Sequence, residues 1–280
     1  MEQLRLEPED RRRPPGVARV IAVASGKGGV GKSTVTVNLA LALTARGRRV
    51  GILDADVHGP NIPYLLGVRR RAFAPPAALL SLAGALRDTD RPQPLERYGL
   101  RVLSLALFAG EEQHLLPGNL QFAGAIIQRL LLESAWGGLD DLLIDLPPGT
   151  GKPLATLAWR VALDGAVLVV TPQDLALLDT TRSLALFREA AVPILGVVEN
   201  MAYSVCPHCG ERVDVFGRSD RPWVVRDAGG PLLGAVPLDP ALGQAANAGR
   251  PVILDHPDSP QAAAFDAIAA ALLARLDAPR

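Results

Sequence analysis

The stretch "VIAVASGKGGVGKSTVTVNLALAL", residues 20–43, decides the fold. An apolar, β-branched run from Val20 to Ala24 enters a glycine-rich turn, Gly26 to Gly31, and a helix-forming run follows from Ser33. Strand, turn and helix in that order make a phosphate cradle, because backbone amides and the positive helix end face one anion. Two phosphate motifs overlap here. Gly26, Gly28 and Gly31 satisfy the dinucleotide pattern, with Asp54 lying 23 residues beyond Gly31. The same residues satisfy G-x-x-x-x-G-K-[ST], the P-loop, in which Lys32 reaches the β- and γ-phosphates and Ser33 binds Mg²⁺. Lys32-Ser33 decides between them: a dinucleotide turn has no use for that pair at the helix start, and a triphosphate site needs both.

Lysine usage sharpens the reading. Of the 29 Lys and Arg residues, only Lys27, Lys32 and Lys152 are lysines, and two of these stand in one turn. The P-loop accounts for Lys32 and leaves Lys27 unexplained.

Outward from the turn, apolar runs alternate with helical stretches. "RVGILDAD" (49–56), "LRVLSLAL" (100–107), "DDLLIDLPP" (140–148), "GAVLVVTPQD" (165–174), "PILGVVEN" (193–200) and "PLLGAVPLD" (231–239) read as strands covered on both faces, hence a parallel sheet. Residues 33–47, 119–135 and 174–190 have helical spacing, and Gly47 sits where a helix stop belongs. The expected fold is α/β, a mostly parallel sheet with helices on both faces. Asp54, Asp56 and Asp145 fall at strand ends, which converge on the phosphate edge of such a sheet and suit a Mg²⁺ shell and a water-positioning group.

With 280 residues, 49% of them hydrophobic and 21% charged, the chain can bury a large core. Its formal net charge of zero supplies no global field toward nucleic acid or an anionic membrane. Residues 1–18 mix acids, bases and prolines and read as a disordered leader; residues 19–276 read as one P-loop ATPase domain. Residues 67–98, with four prolines, read as a variable insertion. No apolar run approaches the roughly 20 residues that span a bilayer, and a cytoplasmic protein is expected. The two cysteines, Cys206 and Cys209, sit in a loop over 203–216. Thiolates at that spacing, followed by Gly210, form a metal-gripping knuckle for iron–sulfur or for zinc.

The turn "GKGGVGKS" resembles that of the deviant Walker A ATPases, the MinD/ParA-like branch of the SIMIBI class. The resemblance implies that Lys27 is their signature lysine, which reaches the partner's phosphates across a nucleotide-sandwich homodimer. The stretches "VGILDADVHGPNIPYLLG", "LLIDLPPGTG", "TPQDLALLDTTRSLALF", "VPILGVVENMAYSVCPHCGE" and "LLGAVPLDP" resemble the Mrp/ApbC iron–sulfur cluster carriers over about residues 20 to 240. That likeness implies slow Mg²⁺-dependent ATP hydrolysis, a [4Fe–4S] cluster bound by Cys206 and Cys209, and delivery to apo iron–sulfur proteins. Four thiolates per cluster would come from two copies by symmetry. It implies further that the turn from Gly26 through Gly28, Gly29, Val30 and Gly31 to Lys32, Ser33 and Thr34 holds the nucleotide. Asp56 then resembles the water-positioning acid, Asp54 and Asp145 the Mg²⁺-shell acids, and Asn200 the asparagine that reads adenine.

Departures from the family pattern put turnover in question: Lys152 stands where an acid is usual, and "HLLPGNL" (114–120) and "FGRSDRPWVVRDAGG" (216–230) differ. Rival readings are a switch acting on membrane or DNA, a zinc-stabilised dimer, and a redox role like that of nitrogenase iron protein. The C-terminal stretch "SPQAAAFDAIAAALLARLDAPR" (259–280) is helical but poor in basic residues, so packing on the domain is expected rather than membrane or nucleic-acid binding.

Overall fold

The computed structural model describes residues 7–56, 59–68, 91–107, 123–149, 151–172, 178–216 and 229–278. Its centre is β1 (Val17–Ala24), whose parallel neighbours are β5 (Leu139–Asp145) and β6 (Gly165–Val170). The sheet extends past β5 through β2 (Val50–Asp54) and β4 (Leu100–Ser104), and past β6 through β7 (Ile194–Glu199) and β10 (Leu232–Ala235), all parallel. One short strand, β3 (Leu95–Arg97), closes the β4 edge antiparallel. It lies within the expected insertion; residues 69–90 of that insertion fall outside the described residues.

Alternation along β1 shows why both faces are covered. Val20, Ala22 and Ala24 enter one apolar cluster, whereas Ile21 and Val23 enter the other. The first is capped by α3 (Ala123–Glu133), α4 (Lys152–Arg160) and α5 (Leu178–Glu189), through Ile127, Leu157 and Phe187. The second is capped by α1 (Lys32–Ala45) and by three later helices, α6 (Pro240–Ala248), α7 (Val252–Asp255) and α8 (Pro260–Asp277). A short α2 (Ile62–Leu65) lies beside α1. Phe265, Ile268, Ala269 and Leu272 of α8 are buried in this second cluster, so the apolar stripe of the C-terminal helix is spent on the domain. Among the described residues no helix is long and apolar enough to cross a membrane.

Within the expected leader, residues 7–10 are exposed, and the segment meets the domain at its next residues: the Arg12 amide donates to the Arg160 carbonyl at 3.0 Å, and Arg13 pairs with Asp164 at 2.6 Å. Asp164 also accepts from the Val20 amide, at 2.8 Å, which ties the docked segment to β1 itself. An acid at the start of one strand thus orders a segment whose own composition gives no sign of order.

Candidate functional site

Helix α1 starts at the carboxyl end of β1, beside the ends of β2 and β5, where an open parallel sheet leaves its ligand crevice. Gly31 adopts φ +81 at the helix entrance, and a Cβ there would run into the Asn200 side-chain amide. Only glycine serves at that position. A cavity of about 320 Å³ opens over the turn, lined by Lys27 through Thr34, by Asp56 and Pro148, and by Tyr64 and Asn247. Lys27 is exposed at its rim.

Beneath the cavity Lys32 is bound to an acid. Its Nζ lies 2.8 Å from Asp145 Oδ1, and both residues are buried. The Ser33 hydroxyl donates to Asp145 Oδ2 at 2.6 Å, and the Thr36 hydroxyl to Oδ1 at 2.8 Å. Strand register sets this up, since Val23 of β1 and Asp54 of β2 are both opposite Asp145 in β5. The lysine and serine of the P-loop thereby meet an acid more than a hundred residues away.

Asp54 is placed differently from Asp56. It is buried and does not border the cavity; its carboxylate accepts from the Ser104 hydroxyl at 3.0 Å and from the amides of Asp56 and Ile62. Burial first, and the neighbouring Asp145 charge second, push its carboxyl up to about 8 against the lowering pull of Ser104, Lys32 and the Asp56 amide. Asp56 reaches the cavity, its Oδ1 accepting from the Gly59 amide at 3.2 Å. Asn200 also stays off the cavity lining. Its Nδ2 donates to the Val30 carbonyl at 2.8 Å, while its buried Oδ1 has no hydrogen-bond partner among the described residues.

The cysteines crown a small hairpin, β8 (Ser204–Val205) and β9 (Arg212–Val213). The Gly210 amide donates to the Cys206 carbonyl, and Gly210 itself takes φ +74, the left-handed turn that the knuckle needs. Amides of Cys209 and His208 donate to the Cys206 sulfur and pull its thiol below the ordinary range. Cys206 is half-buried and Cys209 exposed. Among the described residues no group of three or more His, Cys, Asp or Glu is placed to hold a metal, and His208 joins the two cysteines in none. Val205, Val213, Val215 and Phe216 stand exposed around the hairpin.

Thr36 and Ser104 are site residues that the sequence reading missed. Each is a hydroxyl residue set between apolar neighbours, Thr36 between Val35 and Val37 and Ser104 between Leu103 and Leu105, and that is the signal that could have found them. The departures at 114–120 and over most of 216–230 lie outside the described residues, as does the side chain of Lys152, whose backbone opens α4.

Known proteins resemble this chain over most of its length. Residues 16–273 match the ParA family described as NUBPL iron-transfer P-loop NTPase. The iron-sulfur cluster carrier protein of Deinococcus radiodurans is 45% identical over 263 residues, covering 94% of this chain and 71% of that protein. The iron-sulfur cluster transfer protein NUBPL of Dictyostelium discoideum is 38% identical over 264 residues, covering 94% of this chain and 78% of its own. Among solved structures, the ADP complex of a nucleotide-binding protein from Archaeoglobus fulgidus superposes with a TM-score of 0.70 at 35% identity, covering 93% of this chain and 98% of that one. The septum site-determining protein MinD of Pyrococcus horikoshii, in complex with Mg-ADP, gives a TM-score of 0.67 at 26% identity, covering 90% and 94%. A P-loop on a MinD-like parallel sheet, with a cysteine knuckle beyond β7, therefore belongs to a chain of the NUBPL iron-transfer P-loop NTPase family.

Proposed function

We propose that this chain is an ATP-dependent iron–sulfur cluster carrier. It acts as a homodimer, holds a [4Fe–4S] cargo between the Cys206/Cys209 pairs of two copies, and passes it to apoproteins. The observation that carries this reading is the Cys206/Cys209 pair at the tip of the hairpin. The knuckle is formed, one sulfur is activated by backbone amides, and among the described residues no third ligand accompanies it. A cluster takes four thiolates, which a two-fold axis supplies.

ATP occupies the cavity over the turn, its phosphates against the amides from Gly26 to Ser33. Lys32 then exchanges Asp145 for the β- and γ-phosphates. Ser33, with Asp145 directly behind its hydroxyl, fits a Mg²⁺ ion, which would supply charge opposite the phosphate oxygens. Asp56, at the cavity wall, orients the attacking water. Lys27, exposed at the rim, serves the phosphates of the other copy, and hydrolysis is slow in the monomer. Asn200, whose buried Oδ1 has no hydrogen-bond partner among the described residues, is the side chain that the likeness to the cluster carriers assigns to the adenine. The buried stripe of α8 supports a carrier that works without nucleic acid or stable membrane attachment, in the cytoplasm.

Anaerobic reconstitution with iron and sulfide tests the proposal. About four irons per dimer are expected, with a broad visible absorption that is lost in Cys206→Ala and in Cys209→Ala. Stoichiometric zinc that iron does not displace, or a monomer hydrolysing ATP at the full rate, overturns it.

A further inference from the structure

Asn200 joins the phosphate turn to the cysteine hairpin. Val30 lies between two left-handed glycines, Gly29 at φ +84 and Gly31 at φ +81, so its carbonyl direction is fixed by the turn. The Asn200 amide reads that carbonyl at 2.8 Å, and its backbone N–H is held by Val170 at 2.8 Å. Asn200 and Met201 both border Gly31. Met201 takes φ +55, a conformation that non-glycine residues rarely hold.

From there the chain is clamped at successive residues. The Ala202 amide donates to the Val236 carbonyl at 3.0 Å, and the Tyr203 carbonyl accepts from Leu238 at 2.6 Å. Arg212 of β9 stacks on the Tyr203 ring at 4.0 Å, and β8 begins at the next residue. The Cys206 amide then bonds the Glu211 carbonyl at 2.9 Å. Between Val30 and Cys206 there is thus no slack segment to absorb a turn of the Val30 peptide. In the proposed function, phosphates engage the amides of that same turn, which puts the ligand and the Val30 carbonyl on one short run of peptides.

We propose that Asn200 is a positioning residue that couples the phosphate turn to the Cys206/Cys209 hairpin, so that nucleotide occupancy sets the accessibility of the two sulfurs. This rests on the reading of those cysteines as the cargo ligands. Coupling runs through a contiguous strut, with the strained Met201 backbone as its stiff joint.

N-ethylmaleimide alkylation of the reduced, iron-free chain, followed by mass spectrometry, tests it with and without saturating MgATP. The ratio of the two rates is the readout, because a merely loosened hairpin raises both rates and leaves their ratio alone. In the wild type the ratio is expected to differ from one by at least about fivefold. Asn200→Asp keeps an acceptor but loses the donor to Val30, and Met201→Gly keeps the hydrogen bond but frees the joint. Each is expected to bring the ratio within about twofold of one, on the same coupling scale. A wild-type ratio near one, or variants that retain the full ratio, overturn the inference. If circular dichroism shows Asn200→Asp to be unfolded, Met201→Gly decides alone. Alkylation needs neither iron nor hydrolysis, so a chain that binds iron with a nucleotide-blind ratio keeps the proposed function and loses only this coupling.

Discussion

Replacing Lys32 by methionine removes one ammonium and little volume from a buried array. That ammonium lies 2.8 Å from Asp145, which is fully buried. Breaking a buried pair by deleting one partner costs about 3–5 kcal/mol, because the surviving charge is left in a poor solvent. Ser33 and Thr36 still donate to Asp145, at 2.6 and 2.8 Å, so the low end, about 3 kcal/mol, applies here. At roughly 2 °C per kcal/mol for a chain of this size, the melting temperature falls by about 6 °C. The double variant Lys32→Met/Asp145→Asn carries neither charge and is expected to regain most of that loss. Nucleotide adds a second signature. Ligand at a hundred times its Kd stabilises by about 2.7 kcal/mol, so MgADP raises the wild-type melting temperature by about 5 °C. The same addition leaves Lys32→Met unmoved, since its phosphate contact is gone. Thermal denaturation followed by circular dichroism, with and without MgADP, reads all of these values. An unchanged melting temperature, or a wild-type-sized nucleotide shift in Lys32→Met, refutes the reasoning.

Other expectations concern the glycines and the buried acid. Gly31→Ala suffers both the left-handed backbone and a collision with Asn200, whereas Gly29→Ala, at φ +84 with nothing within 4 Å of its Cβ, suffers only the backbone term of about 1–2 kcal/mol. Urea denaturation should therefore rank Gly31→Ala below Gly29→Ala, and the reverse order contradicts the packing. Asp54, held up to about 8, keeps its proton in the folded chain where an unfolded carboxyl, near 3.8, has lost it. The folded state then binds the extra proton, so this group's stabilisation is complete in acid and falls as pH rises toward 8. Asp54→Asn is expected to flatten that fall between about pH 5 and 8, and equal slopes in the two proteins exclude the assignment.

The phosphate turn was legible because a P-loop is written in consecutive residues. From Gly26 to Ser33 the backbone amides and the side chains of Lys32 and Ser33 are brought together by local geometry, and the apolar runs around them needed only their own continuous apolar character to read as buried strands. The Cys206/Cys209 knuckle was legible for the same reason, as its spacing and Gly210 are local. Strand β3 was missed because Leu95-Glu96-Arg97 is too short to carry a period, and the β8–β9 hairpin pairs only two residues on each side. What the tertiary structure alone decided are the partners brought together by sheet register. It set Ser33 on Asp145 across 112 residues and Ser104 on Asp54 across 50. It put Asn200 on Val30 across 170 residues, where the likeness to relatives had suggested only a contact with adenine. A buried carboxylate or amide takes whichever donor or acceptor packing delivers, and no run of neighbouring residues encodes that choice.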